Sequence, residues 1–252
     1  MKLDALFFGA HPDDVELSAG GTVAKLCKMG YKIGICDITR GEAGTRGSAE
    51  IRDKEAQEAA KILGAVARVN LNVPDTNIEN NRENQLKVIQ VIRRYTPDFV
   101  FTQYWDDRHP DHMHSSQLIR ESAFYSGLEK IVTEDHGLTQ KHFRPSRVIY
   151  YAAWFGFAPS FIVDISDTFE IKMQAMSAFA SQFYDPNYKS NESQTNISTP
   201  EFREAIQVRA QHFGSLIAKK YGEPFLTKEN IGTNDPIKFL RDGESAKKLG
   251  FA

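Results

Sequence analysis

Two short segments of the chain combine histidine and aspartate at spacings that suit metal binding. Residues 10–14 read AHPDD, and residues 109–114 read HPDHMH. Both place Pro-Asp directly after a histidine and follow it with a second side chain that can bind a cation. Two imidazoles and one carboxylate match a catalytic zinc site, which keeps one position for water, and the same set suits ferrous iron. Taken together, the two segments predict one metal centre.

The neighbouring carboxylates of Asp13 and Asp14 also favour a bound cation. Two like charges about 4 Å apart repel each other by ~4 kcal/mol at an effective dielectric constant of ~20. A divalent cation would remove that cost. The residues alone leave open which of His109, His112 and His114 would complete the site.

The rest of the chain alternates strand and helix patterns, which indicates how these segments are positioned. Short apolar runs predict strands, and apolar residues at helical spacing predict helices. The predicted strands are 3–10, 32–39, 67–71, 98–103, 147–153 and 160–166. The predicted helices are 15–29, 49–63, 84–95, 112–126, 168–182 and 200–219. This alternation predicts an α/β fold, with a mostly parallel sheet between two helical layers, in a single domain over residues 1–252.

Both histidine segments fall where a predicted strand ends and a helix begins. In an open α/β sheet, ligands bind at the carboxyl ends of the strands, where the strand order reverses. In the common order 3-2-1-4-5, strands 1 and 4 are neighbours at that point, so His11 and His109 are expected to face one crevice. Proline favours the first helical position and an extended preceding residue. Pro12 is therefore expected to hold His11 at the strand tip, with Asp14 in the first helical turn.

The composition argues against several other classes of protein. The net charge of −2 over 252 residues does not suggest binding to nucleic acid or to an acidic membrane surface. No run approaches the ~20 apolar residues of a membrane span, so we expect a cytoplasmic protein. The segment GAHPDDVE lacks the G-x-G-x-x-G of dinucleotide-binding proteins, and the ligands are too few for a two-metal phosphoesterase. Cys27 and Cys36 show no zinc or redox spacing, so we interpret them as reduced core residues.

The same segments resemble a known family. GAHPDDVELSAGGT followed by DDRHPDH resembles the PIG-L-like (LmbE-like) zinc-dependent de-N-acetylases, and TRGEAGTRGSAEIRDKEA at residues 39–56 is similar to their second signature. DISDTFEIKMQAMSAFASQFYDP and TPEFREAIQVRAQHFGSLIAKKYGEPF resemble the bacterial N-acetylglucosaminyl-malate deacetylase branch of bacillithiol biosynthesis. The likeness runs over residues 2–226. It implies a Rossmann-like α/β/α sandwich with its site at the ends of strands 1 and 4.

The resemblance also implies a role for each site residue. One Zn²⁺ per chain is expected, with Fe²⁺ as the alternative in vivo, and an acid–base relay is expected to stabilise the oxyanion that forms during amide hydrolysis. The roles are His11, Asp14 and His112 as metal ligands, Asp13 as general base, and His109, made cationic by Asp111, as the relay. His114 has no counterpart in the motif.

Arginines are expected to select the substrate. Arg52, Arg108 and Arg144 lie in segments expected to border the crevice, and guanidinium binds carboxylates through paired hydrogen bonds. Malate has two carboxylates, so the expected substrate is N-acetyl-α-D-glucosaminyl L-malate. The alternative is another acetylated thiol-sugar conjugate or a chitooligosaccharide. The resemblance further implies a homo-oligomer, as a trimer or hexamer.

Two features of the sequence near its C-terminal third remain open. Phe202 stands where some family members present a tyrosine hydroxyl, and Tyr184 or Tyr188 could replace it. The polar stretch 184–199 is long for an unstructured connection and is therefore either a mobile surface loop, or a lid or subunit contact.

Overall fold

A seven-stranded sheet forms the centre of the computed structural model, which describes residues 1–242. The last ten residues of the expected domain therefore lie outside the described part. The strands are β1 (Ala5–Gly9), β2 (Ile33–Asp37), β3 (Ala67–Asn70), β4 (Phe99–Gln103), β5 (Glu134–Asp135), β6 (Leu138–Thr139), β7 (Arg147–Tyr151), β8 (Phe161–Asp164) and β9 (Gly222–Thr227). The sheet has the order β3-β2-β1-β4-β7-β9-β8, and β5 and β6 form a separate small hairpin.

Helices cover the sheet, as the alternating pattern predicted. They are α1 (Asp14–Lys28), α2 (Ala49–Leu63), α3 (Arg82–Tyr95), α4 (Pro110–Tyr125), α5 (Phe169–Ser177), α6 (Pro200–Ser215) and α7 (Pro236–Asp242). Local capping explains several of their bounds. The Ser48 hydroxyl accepts a hydrogen bond from the Ile51 N–H at the start of α2, and Gly64 ends that helix with a φ of 82°. Within residues 1–242, no helix has the length and apolar character needed to cross a membrane.

The central strand β1 is buried on both faces of the sheet. Phe7 packs into the apolar core beneath α1, α2 and α5, whereas Leu6 and Phe8 pack into the core beneath α3 and α4. Such continuous burial is typical of a parallel strand between two helical layers. The predicted α/β fold with a mostly parallel sheet is therefore confirmed.

The strand order reverses at β1, which is the feature that positions the site. β1 pairs in parallel with β2 on one side and with β4 on the other. The fifth predicted strand is β7, which pairs in parallel with β4. The carboxyl ends of β1 and β4 are thus adjacent, as the order 3-2-1-4-5 required.

Strand β9 was not predicted from the sequence. It lies between β7 and β8 and is antiparallel to both. Gly222 and Pro224 weaken its strand pattern, because glycine packs no side chain and proline donates no ladder hydrogen bond. The buried Glu223 of this strand accepts hydrogen bonds from the Gly21 and Thr22 N–H groups of α1. It therefore connects the late part of the chain to the helix that begins at the site.

Candidate metal centre and active site

The turn between β1 and α1 places an aspartate in an unusual backbone conformation. The helix begins at Asp14, two residues after Pro12, so proline is not at the first helical position as expected here. Asp13 precedes the helix with φ 127° and ψ −23°. A side-chain-bearing residue in this region costs ~1–3 kcal/mol and persists only where its surroundings hold it. At the second segment Pro110 does begin α4, and His109 before it is extended.

Asp14 lies between two histidines from different parts of the chain. Its Oδ1 is 3.1 Å from His112 Nε2, and its Oδ2 is 3.5 Å from His11 Nδ1. The three residues each offer a ligand atom within 4.8 Å of the others. Asp14 Oδ2 also accepts hydrogen bonds of 2.8 Å from the Gln103 side chain and from the His11 N–H. The three predicted metal ligands therefore converge.

Asp107 supports this triad, although sequence reasoning did not single it out. Its Oδ1 lies 3.1 Å from His112 Nδ1, and its Oδ2 accepts a hydrogen bond from the Trp154 N–H at 2.9 Å. A carboxylate on the far nitrogen of a ligating histidine orients the ring and raises its basicity. The adjacent Asp106 and Asp107, just before the second histidine segment, are the feature of the sequence that could have indicated this role.

The electrostatics of the triad fit a divalent cation. Burial opposes the charge of Asp14, yet His112 and His11 outweigh it and hold the pKa of Asp14 well below its usual range. Burial likewise disfavours a charged His112, but Asp14 and Asp107 raise its pKa to about 9. The low pKa of Asp14 keeps it in the carboxylate form, which is the form that binds a cation. Two imidazoles and one carboxylate are also the donor set that zinc or ferrous iron prefers.

Asp13 is the buried carboxylate next to a ligand, as expected for the base. Its Oδ2 accepts a hydrogen bond from Arg52 Nη2 at 3.0 Å. Burial raises the pKa of Asp13 to about 7, with Arg52 opposing the rise and Asp14 adding to it. A carboxylate with that pKa can both accept and return a proton near neutral pH.

The structure revises the expected pairing of His109 with Asp111. His109 Nδ1 accepts a hydrogen bond from the backbone N–H of Asp111 at 3.2 Å, so the proton of a neutral ring is on Nε2. Burial, followed by His11 and His112, lowers the pKa of His109. The Asp111 carboxylate accepts a hydrogen bond from the Thr76 N–H and lies 3.3 Å from His11 Nε2. Nδ1 of His109 thus contacts the backbone of Asp111, whereas the Asp111 carboxylate faces His11.

Asp75 is a site residue that no sequence motif indicated. Its Oδ1 lies 3.0 Å from His11 Nε2, and its Oδ2 accepts a hydrogen bond from the Ala43 N–H at 3.0 Å. Although burial acts in the opposite direction, His11 holds the pKa of Asp75 below its usual range. His11, His109 and Asp111 also form a second group whose ligand atoms lie within 4.8 Å of one another.

A cavity of about 400 Å³ opens over the triad, and it receives two of the three predicted arginines. Arg52 and Arg108 line this catalytic pocket. Arg52 is 4% exposed and already binds the Gly41 and Pro12 carbonyls together with Asp13. Arg108 instead stacks on Trp154, with its Cζ 3.7 Å from the ring centre. Of the two, Arg108 has the guanidinium that a substrate can engage.

Arg144 is not at the catalytic pocket. Its Nε donates a hydrogen bond to the Phe124 carbonyl at 3.1 Å, and its guanidinium lies 4.0 Å from the centre of that ring. It precedes β7, a strand parallel to β4, and therefore lies toward the amino ends of these strands, at the opposite edge of the sheet from the site. The structure thus contradicts its expected contact with substrate.

The polar stretch 184–199 forms part of the wall of the catalytic pocket. Residues 195–197 line the cavity, and Glu192 accepts a hydrogen bond from the Gly47 N–H at 2.9 Å. Phe202 does not line it and instead packs against Trp154, with ring centres 5.6 Å apart. Among residues 1–242, no tyrosine lines this pocket, so neither Tyr184 nor Tyr188 supplies the missing hydroxyl there.

Comparison with known proteins identifies the family. Residues 6–123 match the PIG-L family, described as GlcNAc-PI de-N-acetylase. Over 185 residues the chain is 31% identical to diacetylchitobiose deacetylase of Thermococcus kodakarensis. This match covers 69% of this chain and 67% of that protein. The chain belongs to the PIG-L deacetylase family. Deacetylases of this family depend on a metal ion, and His11, Asp14 and His112 offer a place for one.

Two further relatives show the breadth of the likeness. The conserved protein TT1542 of Thermus thermophilus is 36% identical with a TM-score of 0.81, and the match covers 93% of this chain and 98% of that one. The 4-oxalmesaconate hydratase of Pseudomonas putida is 26% identical over 197 residues, which is 71% of this chain and 73% of that enzyme. The likeness to TT1542 thus extends over nearly the whole chain, whereas the PIG-L match covers residues 6–123.

Proposed function

We propose that this PIG-L protein is a zinc-dependent hydrolase that removes the N-acetyl group from N-acetyl-α-D-glucosaminyl L-malate. The convergence of His11, Asp14 and His112 beside the buried Asp13 carries the proposal. The proposal includes one Zn²⁺ per chain, a cytoplasmic homo-oligomer, and a substrate that enters the catalytic pocket.

A divalent cation bound by the three ligands would lower the pKa of a water molecule toward ~7 and polarise the amide carbonyl. Asp13 accepts a proton from the attacking water and later delivers it to the leaving nitrogen. The C–N bond breaks, so that the products are acetate and a free amino sugar. His109 donates a hydrogen bond from Nε2 to the developing oxyanion, because its Nδ1 is occupied by the Asp111 N–H.

The malate assignment depends on Arg108. This residue lines the catalytic pocket, and no carboxylate forms an ion pair with it among the described residues. Its stacking on Trp154 leaves the edge of the guanidinium free for a carboxylate. A substrate arm with carboxylates, such as malate, would supply the partner.

A chitooligosaccharide is the second candidate substrate. The similarity to diacetylchitobiose deacetylase supports it. A chitooligosaccharide has no carboxylate, so it would leave Arg108 without a partner.

An acetate-release assay separates these candidates. The zinc-loaded protein is incubated with N-acetylglucosaminyl-malate, diacetylchitobiose or N-acetylglucosamine, and Asp13→Asn serves as the inactive control. The malate conjugate is expected to have the highest kcat/KM. Preference for diacetylchitobiose would favour the second candidate, and no acetate from any of them would refute the deacetylase proposal.

A further inference from the structure

A second cavity lies beside the catalytic pocket and has no role in the proposed reaction. Its volume is about 200 Å³, and its walls come from α1, α5, α6 and β9 and from the segment after β7. Leu17 and Trp154 line both cavities and therefore separate them. A ligand in this second cavity would lie one residue layer away from the substrate.

The charge of the second cavity is positive. Lys172 and Glu223 both line it, but they form a buried ion pair with an N–O distance of 2.6 Å. The Glu223 carboxylate also accepts hydrogen bonds from the Gly21 and Thr22 N–H groups and from the Thr22 hydroxyl, all in α1. The pair is thus neutral, and Glu223 has no oxygen left for another cation.

Arg209 is the cation of the second cavity that lacks a direct ion pair, and the Glu223 and Asp107 carboxylates act on it only through space. Its guanidinium donates hydrogen bonds to the Ala152 and Ala153 carbonyls, and among residues 1–242 no carboxylate forms an ion pair with it. Carbonyl oxygens satisfy N–H groups but do not neutralise a charge. Partial removal of a cation from water without a counter-ion is unfavourable. An anion bound directly to the guanidinium in the second cavity would reduce that cost.

A buried hydroxyl points to the same ligand. Ser18 lines the second cavity and is only 5% exposed, yet its Oγ has no hydrogen-bond partner. Leaving a buried polar group unpaired costs ~1–3 kcal/mol. A carboxylate could bind the Arg209 guanidinium and accept a hydrogen bond from Ser18.

The remaining walls limit the size and character of the anion. Phe202, Ile206 and Phe213 of α6 present apolar surface to the second cavity. A phosphate or a sugar would leave polar groups against these side chains. A small carboxylate with an apolar carbon beside it meets both the charge and the apolar wall.

We propose that the second cavity is a subsite for a small carboxylate, held by Arg209 and Ser18. Two sources could supply it: the acetate released by the reaction, or a carboxylate arm of the substrate. Only the choice of source rests on the proposed function.

Titration of the metal-free, full-length protein with acetate and with L-malate tests the subsite. Chelation removes the metal as a competing carboxylate ligand, and saturation-transfer NMR at constant ionic strength measures the dissociation constants. The variants are Arg209→Gln and Ser18→Ala. Arg203→Gln, on the exposed surface of the same helix, is the matched control for loss of charge, and Arg108→Ala reports binding in the catalytic pocket.

Arg209→Gln is expected to weaken carboxylate binding about tenfold or more, as for loss of a hydrogen bond to a charged group, and Ser18→Ala by a few-fold. Arg203→Gln should bind as the parent protein does, and Arg108→Ala should retain the part of the binding that depends on Arg209. If only acetate depends on Arg209, the source is the product; if only malate does, the source is the substrate arm. Unchanged affinity in both Arg209→Gln and Ser18→Ala would overturn the subsite, as would no binding of either ligand to the parent protein.

Two further readouts keep the result interpretable. Circular dichroism establishes whether Arg209→Gln is folded; if it is not, Ser18→Ala and the cavity-filling Ile206→Trp decide. Acetate release by the zinc-loaded protein is measured separately. Arg209-dependent binding without acetate release would reject the proposed function and retain the subsite. Acetate release without Arg209-dependent binding would reject the subsite and retain the proposed function.

Discussion

The guanidinium of Arg52 binds the carboxylate of Asp13 at 3.0 Å and the carbonyl of Pro12 just before it at 2.6 Å. These two contacts hold both sides of a residue whose φ is 127°. Gly41 makes room for them, since a Cβ there would lie 1.9 Å from Arg52 Nη1. Arg52 therefore positions the proposed base, and it is not free to reach a remote carboxylate.

Replacement of Arg52 should impair catalysis on every acetylated substrate. In Arg52→Ala the base loses its orientation, and misplacement of a reacting group by about 1 Å can cost ~10²-fold in rate. Breaking one side of a buried ion pair also destabilises a protein by ~3–5 kcal/mol, so a lower Tm is expected. Arg52→Lys, which keeps the charge but cannot reach all three acceptors, should be intermediate. A loss confined to the malate conjugate, with the metal content unchanged, would instead identify Arg52 as a substrate ligand.

Arg108 should determine the preference for a carboxylate arm. Arg108→Ala is expected to reduce kcat/KM for the malate conjugate by an amount corresponding to ~1.5–3 kcal/mol, while plain N-acetylglucosamine is much less affected. Arg144→Ala is the matched control, because Arg144 contacts Phe124 away from the catalytic pocket. Equal losses on the two substrates would remove the main physical support for malate.

The metal site should depend on the three converging ligands. The purified protein is expected to contain about one divalent ion per chain. His11→Ala, Asp14→Ala and His112→Ala should each lower that occupancy when it is measured by elemental analysis, whereas His114→Ala, at an exposed position on α4, should not. Full occupancy in all three ligand variants would contradict the assignment.

The two adjacent aspartates should behave differently. Asp13→Asn is expected to retain the metal and to lose ~10²–10⁴-fold in turnover, which is the usual contribution of a general acid–base group. Asp14→Asn should lose the metal first, because it removes a ligand between two histidines. Parallel metal analysis and acetate-release assays distinguish them. Near-normal turnover in Asp13→Asn would mean that another residue is the base.

The buried pair of Lys172 and Glu223 should matter for stability rather than for chemistry. Both side chains are at most 4% exposed, so Lys172→Met leaves an uncompensated carboxylate in the interior. The expected loss is ~3–5 kcal/mol in the free energy of unfolding, as measured by denaturant titration. Lys61→Met, which breaks an exposed pair with Glu58, should change it by less than ~1 kcal/mol. Similar losses in the two variants would show that the buried pair contributes no more to stability than the exposed pair.

Much of the fold could be predicted from short-range signals. Helix α2 occupies the predicted residues 49–63, and its ends are set by Ser48 and Gly64, because caps are properties of neighbouring residues. The convergence of the two histidine segments could also be predicted, since topology brings the ends of β1 and β4 together. Strand β9 could not, because its glycine and proline obscure a pairing that depends on two distant strands.

By itself, the sequence predicted a metal centre that combines His11 and Asp14 with a histidine of the second segment, and the edge of the sheet where these residues meet, because residue type, spacing and strand–helix alternation are local properties of the chain. Tertiary structure alone decided what each charged group contacts. Arg52 binds Asp13, Asp111 contacts His11, and Asp75 reaches the site from outside any motif. These partners lie 39 to 100 residues apart in the chain. Electrostatic and hydrogen-bond energies depend on distances of a few ångströms, which only the packed fold sets.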